Sequence, residues 1–113
     1  MNSKRKSVVL PLNSTKKIDF AGLNRRLLLQ FSRWVPQWLP GGRVESHEYV
    51  GFNPTRSDKN LGSFRINLKT GRWCDFATGD KGGDLISLYA YINGISQGSA
   101  AKELMKITGG SHD

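Results

Sequence analysis

Between Ser63 and Leu68 apolar and polar positions alternate, with Phe64, Ile66 and Leu68 set against Ser63, Arg65 and Asn67. A period of two is the signature of a half-buried strand. Further extended runs are expected at residues 48–52 and 72–76. Lys69-Thr70-Gly71 separates the last two runs and ends on glycine, the residue that a type I turn with a bulge places in the left-handed region. A loop of that length pairs Leu68 with Arg72, Asn67 with Trp73, Ile66 with Cys74 and Phe64 with Phe76. Phe64, Ile66, Cys74 and Phe76 then share the core face, with Cys74 a small buried hydrophobe. Arg65, Asn67 and Trp73 share the solvent face. A two-residue turn would instead carry Trp73 into the core beside Leu68. The longer loop is preferred because of its final glycine, so Trp73 is expected outside and Phe76 inside.

Helical spacing flanks this hairpin. Phe20, Leu23, Leu27, Phe31 and Trp34 recur at steps of three and four, predicting one helix over residues 19–35, capped by Asp19 and stopped by Pro36. Arg26, Gln30 and Arg33 fall on its other side, and Trp38 follows in a proline-bounded turn as a packing anchor. Asp84 is a good N-cap for a helix over 85–93, with Asn93-Gly94 as its stop and Leu85, Leu88, Tyr89 and Ile92 on one face. Ser96 caps a last helix over 97–107, with Ala100, Leu104 and Ile107 inward and Gly109-Gly110 at its end. The expected fold class is α+β: a small antiparallel sheet packed with one N-terminal and two C-terminal helices.

At 113 residues the chain suits one domain with a modest core. The single cysteine rules out a disulfide framework and suits a reducing cytoplasm. Val8-Val9-Leu10 is the apolar run of the N-terminal stretch, far short of a signal segment, and no run approaches a membrane span. Residues 1–17 read as a basic flexible arm and residues 18–113 as the folded domain.

Charge changes the picture more than composition does. The formal net charge is +8. Residues 1–43 hold nine Lys or Arg against Asp19 alone, whereas residues 44–113 hold eight basic and eight acidic residues. All the excess therefore sits at the N-terminal end, which suits contact with a polyanion. Lys4, Arg5, Lys6, Lys16 and Lys17 of the arm are candidate phosphate contacts. A solubilising tail is the plainer alternative, and a membrane surface a weaker one because the arm lacks a wide apolar face. Around the hairpin, Arg56, Lys59, Arg65, Lys69, Arg72 and Lys81 surround Trp73, a mixture of cations and an aromatic that suits a single strand. A merely solvated hairpin face is the alternative there.

Other chemistry finds little footing. Thr78-Gly79-Asp80-Lys81-Gly82-Gly83-Asp84 lacks the Gly-Lys-Ser/Thr ending of a phosphate loop. Asp84 at the helix start would also occupy the amides that a phosphate needs. His47 and His112 assemble no nucleophile–base–acid set, and no catalytic residue is assigned among Asp75, Asp80 and Asp84.

Several motifs occur in a telling order: Trp38-Leu39-Pro40-Gly41-Gly42-Arg43, Glu48-Tyr49-Val50, Gly62-Ser63-Phe64, Thr70-Gly71-Arg72-Trp73, Asp75-Phe76-Ala77-Thr78-Gly79, Gly82-Gly83-Asp84-Leu85-Ile86 and Ala100-Ala101-Lys102-Glu103-Leu104. Over roughly residues 18–108 the chain resembles the N-terminal zinc-ribbon domain of bacterial-type DNA primases, in the version found at the front of phage and plasmid primase-helicases. The resemblance places that family's Cys-x2-His and Cys-x2-Cys ligand pairs at Pro54, Ser57, Asp75 and Thr78. These are not a zinc set, since structural zinc takes Cys and His donors. The chain is therefore expected to hold no metal or other cofactor and to brace its hairpin by packing. The resemblance further implies engagement of template DNA without catalysis, the catalytic core of a primase being a separate, larger unit. The expected function is a non-enzymatic, single-stranded-DNA-binding accessory of mobile-element replication, with a primase or helicase as a protein partner and no membrane. The alternative is a protein-interaction or inhibitory module that reuses the fold without binding DNA.

Overall fold

The structure, a computed structural model, describes residues 18–57 and 60–109. Asp19 opens the first helix, α1 (Phe20–Leu29), its carboxylate accepting the Gly22 amide at 2.9 Å. The chain breaks at Gln30 (φ −130°, ψ 39°) and starts again as α2 (Phe31–Trp38). One continuous helix was the expectation, and packing explains the break. Leu23 and Val35 are both fully buried, but on a straight helix twelve residues of separation would turn them about 120° apart. The break resets the phase so that both meet one core. Pro36 does not stop the segment: it lies exposed in the second turn of α2, which runs on to Trp38.

The sheet has five strands in sequence order, all antiparallel: β1 (Arg43–Glu45), β2 (Glu48–Gly51), β3 (Phe64–Asn67), β4 (Trp73–Asp75) and β5 (Lys81–Gly82). β1 and β5 add an edge on either side of the three expected strands. Two helices close the chain, α3 (Leu85–Asn93) and α4 (Gln97–Thr108). Asp84 and Ser87 form a reciprocal capping box at the start of α3, and Gly94 ends it in the left-handed region. Ser96 caps α4 through the Ser99 amide.

The helices cover one face of the sheet. Leu23 and Leu27, Trp34 and Val35, Leu85 and Leu88, and Ala100 and Leu104 pack with Tyr49, Phe64, Ile66 and Trp73 in one buried cluster. Ala101 is fully buried, whereas Ile107, expected on the inner face of α4, is 50% exposed. Trp38 is half-buried and meets Tyr89 edge-on at 5.2 Å, in line with a packing role. Among the described residues no helix is long and apolar enough to cross a membrane.

Candidate nucleic-acid interface

The hairpin register decides what each face of the sheet offers. Asn67 and Arg72 close the turn, the Asn67 amide donating to the Arg72 carbonyl at 2.7 Å, and the Gly71 amide returns to the Asn67 carbonyl at 2.7 Å. Four residues, Leu68 to Gly71, therefore lie between the closing pair, not three. Two side chains hold the turn there. The Asn67 carboxamide oxygen accepts from the Lys69 and Thr70 amides at 2.8 and 3.1 Å, an Asx turn that starts the reversal one residue early. Asn24 of α1 donates to the Thr70 carbonyl at 2.8 Å and accepts from the Leu85 amide at 3.0 Å, tying the turn to the start of α3. Gly71 sits at φ +85° against that Asn24 carboxamide.

The pairing consequently slips by one. Phe64 faces Asp75, Arg65 faces Cys74 and Ile66 faces Trp73. A slip of one residue exchanges the two faces of a strand, and the roles of the two aromatics exchange with it. Trp73 was expected outside and is 5% exposed. Its indole nitrogen donates to the Ser87 hydroxyl at 3.0 Å, and its ring lies 4.7 Å from Tyr91 and 6.0 Å from Phe64. Gly82 is required beside it, because a Cβ there would collide with the indole and the Ser87 hydroxyl. Phe76 was expected in the core and is 70% exposed. Cys74, expected to be buried, is half-buried on the outer face.

That outer face carries an open groove of about 600 Å³, lined among others by Arg65, Arg72, Cys74, Phe76, Lys81 and Gly83. Arg65 is compensated by Glu48 at 2.9 Å and Glu45 at 3.7 Å. Arg72 and Lys81 are exposed and have no acidic partner among the described residues. Lys69 turns to a different hollow, beside Arg25 and Leu28 of α1. Arg56 is engaged elsewhere, as described below. The structure thus gathers Arg65, Arg72 and Lys81, with only an edge of the buried Trp73 reaching the groove, and separates Lys69 and Arg56 from them. Lys4, Arg5, Lys6, Lys16, Lys17 and Lys59 lie outside the described residues. Phe76 is the residue that sequence reasoning missed; the Asx-turn potential of Asn67 was the local signal that could have found it.

At the other end of β4 a buried polar cluster joins three segments. Asp75 has no exposed side-chain surface and accepts from Arg56 Nε at 3.1 Å, Asn53 Nδ2 at 2.8 Å and the Ala77 amide at 2.8 Å. Asn53, 1% exposed, also donates to the Tyr91 hydroxyl at 2.9 Å and accepts from the Thr55 amide at 2.9 Å. Tyr91 in turn donates to Asp80 at 2.7 Å. Burial is the largest influence on the Asp75 carboxyl and opposes its ionisation. The hydrogen bonds from Asn53, Arg56 and the Ala77 amide, with the Arg56 charge, together outweigh it and hold the carboxyl below its usual range.

No protein-family model matches the chain. No curated protein matches it either. Among solved structures it is similar to the primase of Aquifex aeolicus, in a crystal structure of the zinc-binding and RNA polymerase domains. The TM-score is 0.64 at 23% identity, over 87% of this chain and 23% of that one. The fold is primase zinc-ribbon-like. The chain spans under a quarter of the length of that neighbour.

The zinc-ribbon-like fold raises the question of a metal, and the residues present do not fit one. Pro54 offers no donor, and Ser57 and Thr78 offer only hydroxyls. Asp75 is already saturated, with the Arg56 cation against it. No three His, Cys, Asp or Glu side chains cluster among the described residues. The Asn53–Arg56–Asp75 cluster joins the segment before the hairpin to the segment that ends it, the two places where the ribbon's ligand pairs would stand.

Proposed function

We propose that this chain is a non-catalytic single-stranded-DNA-binding accessory of DNA replication, acting beside a primase or helicase. The observation that carries this reading is the outer groove, where Phe76, 70% exposed, stands among Arg65, Arg72 and Lys81. An exposed ring beside Arg72 and Lys81, neither of which has an acidic partner among the described residues, offers a stacking platform with phosphate contacts next to it, and such a platform is tolerant of sequence. Phe76, not Trp73, is the stacking residue in this reading, because an indole packed against Tyr91 and Phe64 has no free face for a base. The cations of residues 1–17, which lie outside the described residues, add to the charge that attracts a strand. The primase zinc-ribbon-like fold supports a replication setting, and the motifs shared with phage and plasmid primase-helicases support a mobile-element one.

The test is titration of the protein into labelled oligothymidylate. Phe76→Ala is expected to weaken binding by about 1–3 kcal/mol, the worth of one base–aromatic stack, with an unchanged melting temperature. Wild-type protein that leaves the oligonucleotide unbound at low salt, or a Phe76→Ala variant that binds as well as wild type, would contradict the assignment.

A further inference from the structure

A second surface, sharing no residue with the sheet groove, lies on the helices. Leu29, the last residue of α1, is 83% exposed, and Ile107 near the end of α4 is 50% exposed. Both line a hollow of about 300 Å³ with Arg26, Gln30, Arg33 and Trp34. A neighbouring hollow of about 490 Å³ shares Arg26 and Leu29 and continues along α1 to Arg25, Leu28 and Lys69. Leu29 is thus a ridge between two shallow depressions rimmed by cations. It is the most exposed large apolar side chain among the described residues, and a solitary exposed leucine would need no explanation. Here it continues into half-buried Leu28 on one side and Ile107 on the other.

The electrostatics of this surface are one-sided. Arg25, Arg26 and Arg33 have no acidic partner among the described residues. The acid at its edge, Asp19, is committed to the Gly22 amide. Arg33 is held in place, donating to the Gln30 side chain at 3.0 Å with its guanidinium 5.0 Å from the Trp34 ring. Trp34 itself is 9% exposed, and its indole N–H is buried without an acceptor among the described residues. Cations without acidic partners beside aliphatic ridges specify the ligand: carboxylates flanking apolar side chains. A nucleic acid supplies the negative charge but no aliphatic anchor for Leu29 and Ile107. A second copy of this chain carries a net charge of +8 and would be repelled.

We propose that this face docks an acidic amphipathic segment of a partner protein, with apolar side chains against Leu29 and Ile107 and carboxylates against Arg25, Arg26 and Arg33. This is helix-in-groove recognition, with charge setting the choice of partner. It stands independently of DNA binding in the sheet groove, and the two fit a chain that holds a strand on one surface and a protein on another.

The test uses the full chain and two synthetic helical peptides. Both carry leucines at i, i+4 and i+7; one has glutamates and the other lysines at the flanking positions. The glutamate peptide is expected to bind, seen by anisotropy, and the lysine peptide to stay free. Leu29→Asp with Ile107→Asp should weaken the glutamate peptide at least about tenfold. Arg26→Glu should weaken it too, and carries the test alone if the double variant melts early. Both variants should bind oligothymidylate as wild type does. Absence of glutamate-peptide binding, equal binding of both peptides, or variants that bind it undiminished overturns the proposal. So does loss of oligonucleotide binding in the Leu29→Asp, Ile107→Asp variant, which would make this a nucleic-acid surface. A wild-type dimer dissolved by the same substitutions would make it a self-association surface and overturn the proposal equally.

Discussion

Trp73 and Phe76 stand three residues apart where β4 begins and just past its end, and the protein treats them oppositely. The first is 5% exposed and packs among Phe64, Tyr91 and Ser87, whereas the second is 70% exposed beside Arg72 and Lys81. The inner face of the hairpin is a core surface braced by four helices. The outer face of the same strands has no element among the described residues laid over it. One extra loop residue decides which aromatic goes where. An aromatic's identity therefore says little about its role until its register is known, and in a four-residue strand the register is set by the turn and its tertiary anchors more than by the strand's own pattern.

The division of labour between the faces can be broken most severely from inside. Trp73→Ala removes a buried indole over which Gly82 has no side chain to collapse, and should cost about 3–5 kcal/mol of stability. Chemical denaturation checks it; a cost below about 1 kcal/mol would mean that Trp73 is not a core residue. Oligonucleotide binding by whatever fraction remains folded should be unaltered.

The next largest effect is expected at the polar end of the inner face. Asp75→Asn leaves Arg56 and Asn53 facing a neutral amide. It should cost roughly 2–3 kcal/mol, less than the roughly 3–5 kcal/mol of a fully buried pair, because Arg56 keeps 34% of its side chain exposed. The pH dependence sharpens this. The folded state holds Asp75 charged more firmly than the unfolded chain does. Its contribution is thus complete above about pH 4 and is lost as pH falls through the lowered folded value. Melting temperature against pH should show that acid loss in wild type and a flatter acid limb in Asp75→Asn. Parallel acid limbs would show that another carboxylate governs it.

The smallest effects belong to the outer face. Arg72→Ala and Lys81→Ala should leave stability within about 0.5 kcal/mol. Each should make the slope of log affinity against log salt shallower by about one. Unchanged slopes would remove these two side chains from the phosphate contact.

Legibility followed the range of the interactions. Asp19, Asp84 and Ser96 were readable as caps because a cap is a bond to an amide three residues on. The inward stripes of α1, α3 and α4 were readable apart from Ile107, which is exposed, and Ile86 and Ala90 of α3, which are buried beyond the expected face; so was the place of the hairpin. The two edge strands were not, since three and two residues carry no pattern to recognise. The break at Gln30 answers to a core that α1 and α2 must both face. The register slipped because Asn24, 46 residues from Thr70, helps to hold the turn. The Asn53–Asp75 and Asn53–Tyr91 bonds span 22 and 38 residues, and no local rule proposes such partners. Of the side chains that line the outer groove, Arg65, Arg72 and Lys81 were legible as neighbours because they lie on or beside the hairpin strands and at the following edge. Phe76 was missed because its face depended on the turn.

The central claim is that the open face of the sheet, not the helices, receives the DNA strand. Amide chemical-shift mapping during titration with oligothymidylate tests it most directly. The account predicts that the largest shifts fall on Arg65, Arg72, Phe76 and Lys81, with the Trp73 indole signal and the amides of Leu29 and Ile107 little moved. Shifts centred on α1 and α4, or none at saturating oligonucleotide, would contradict it.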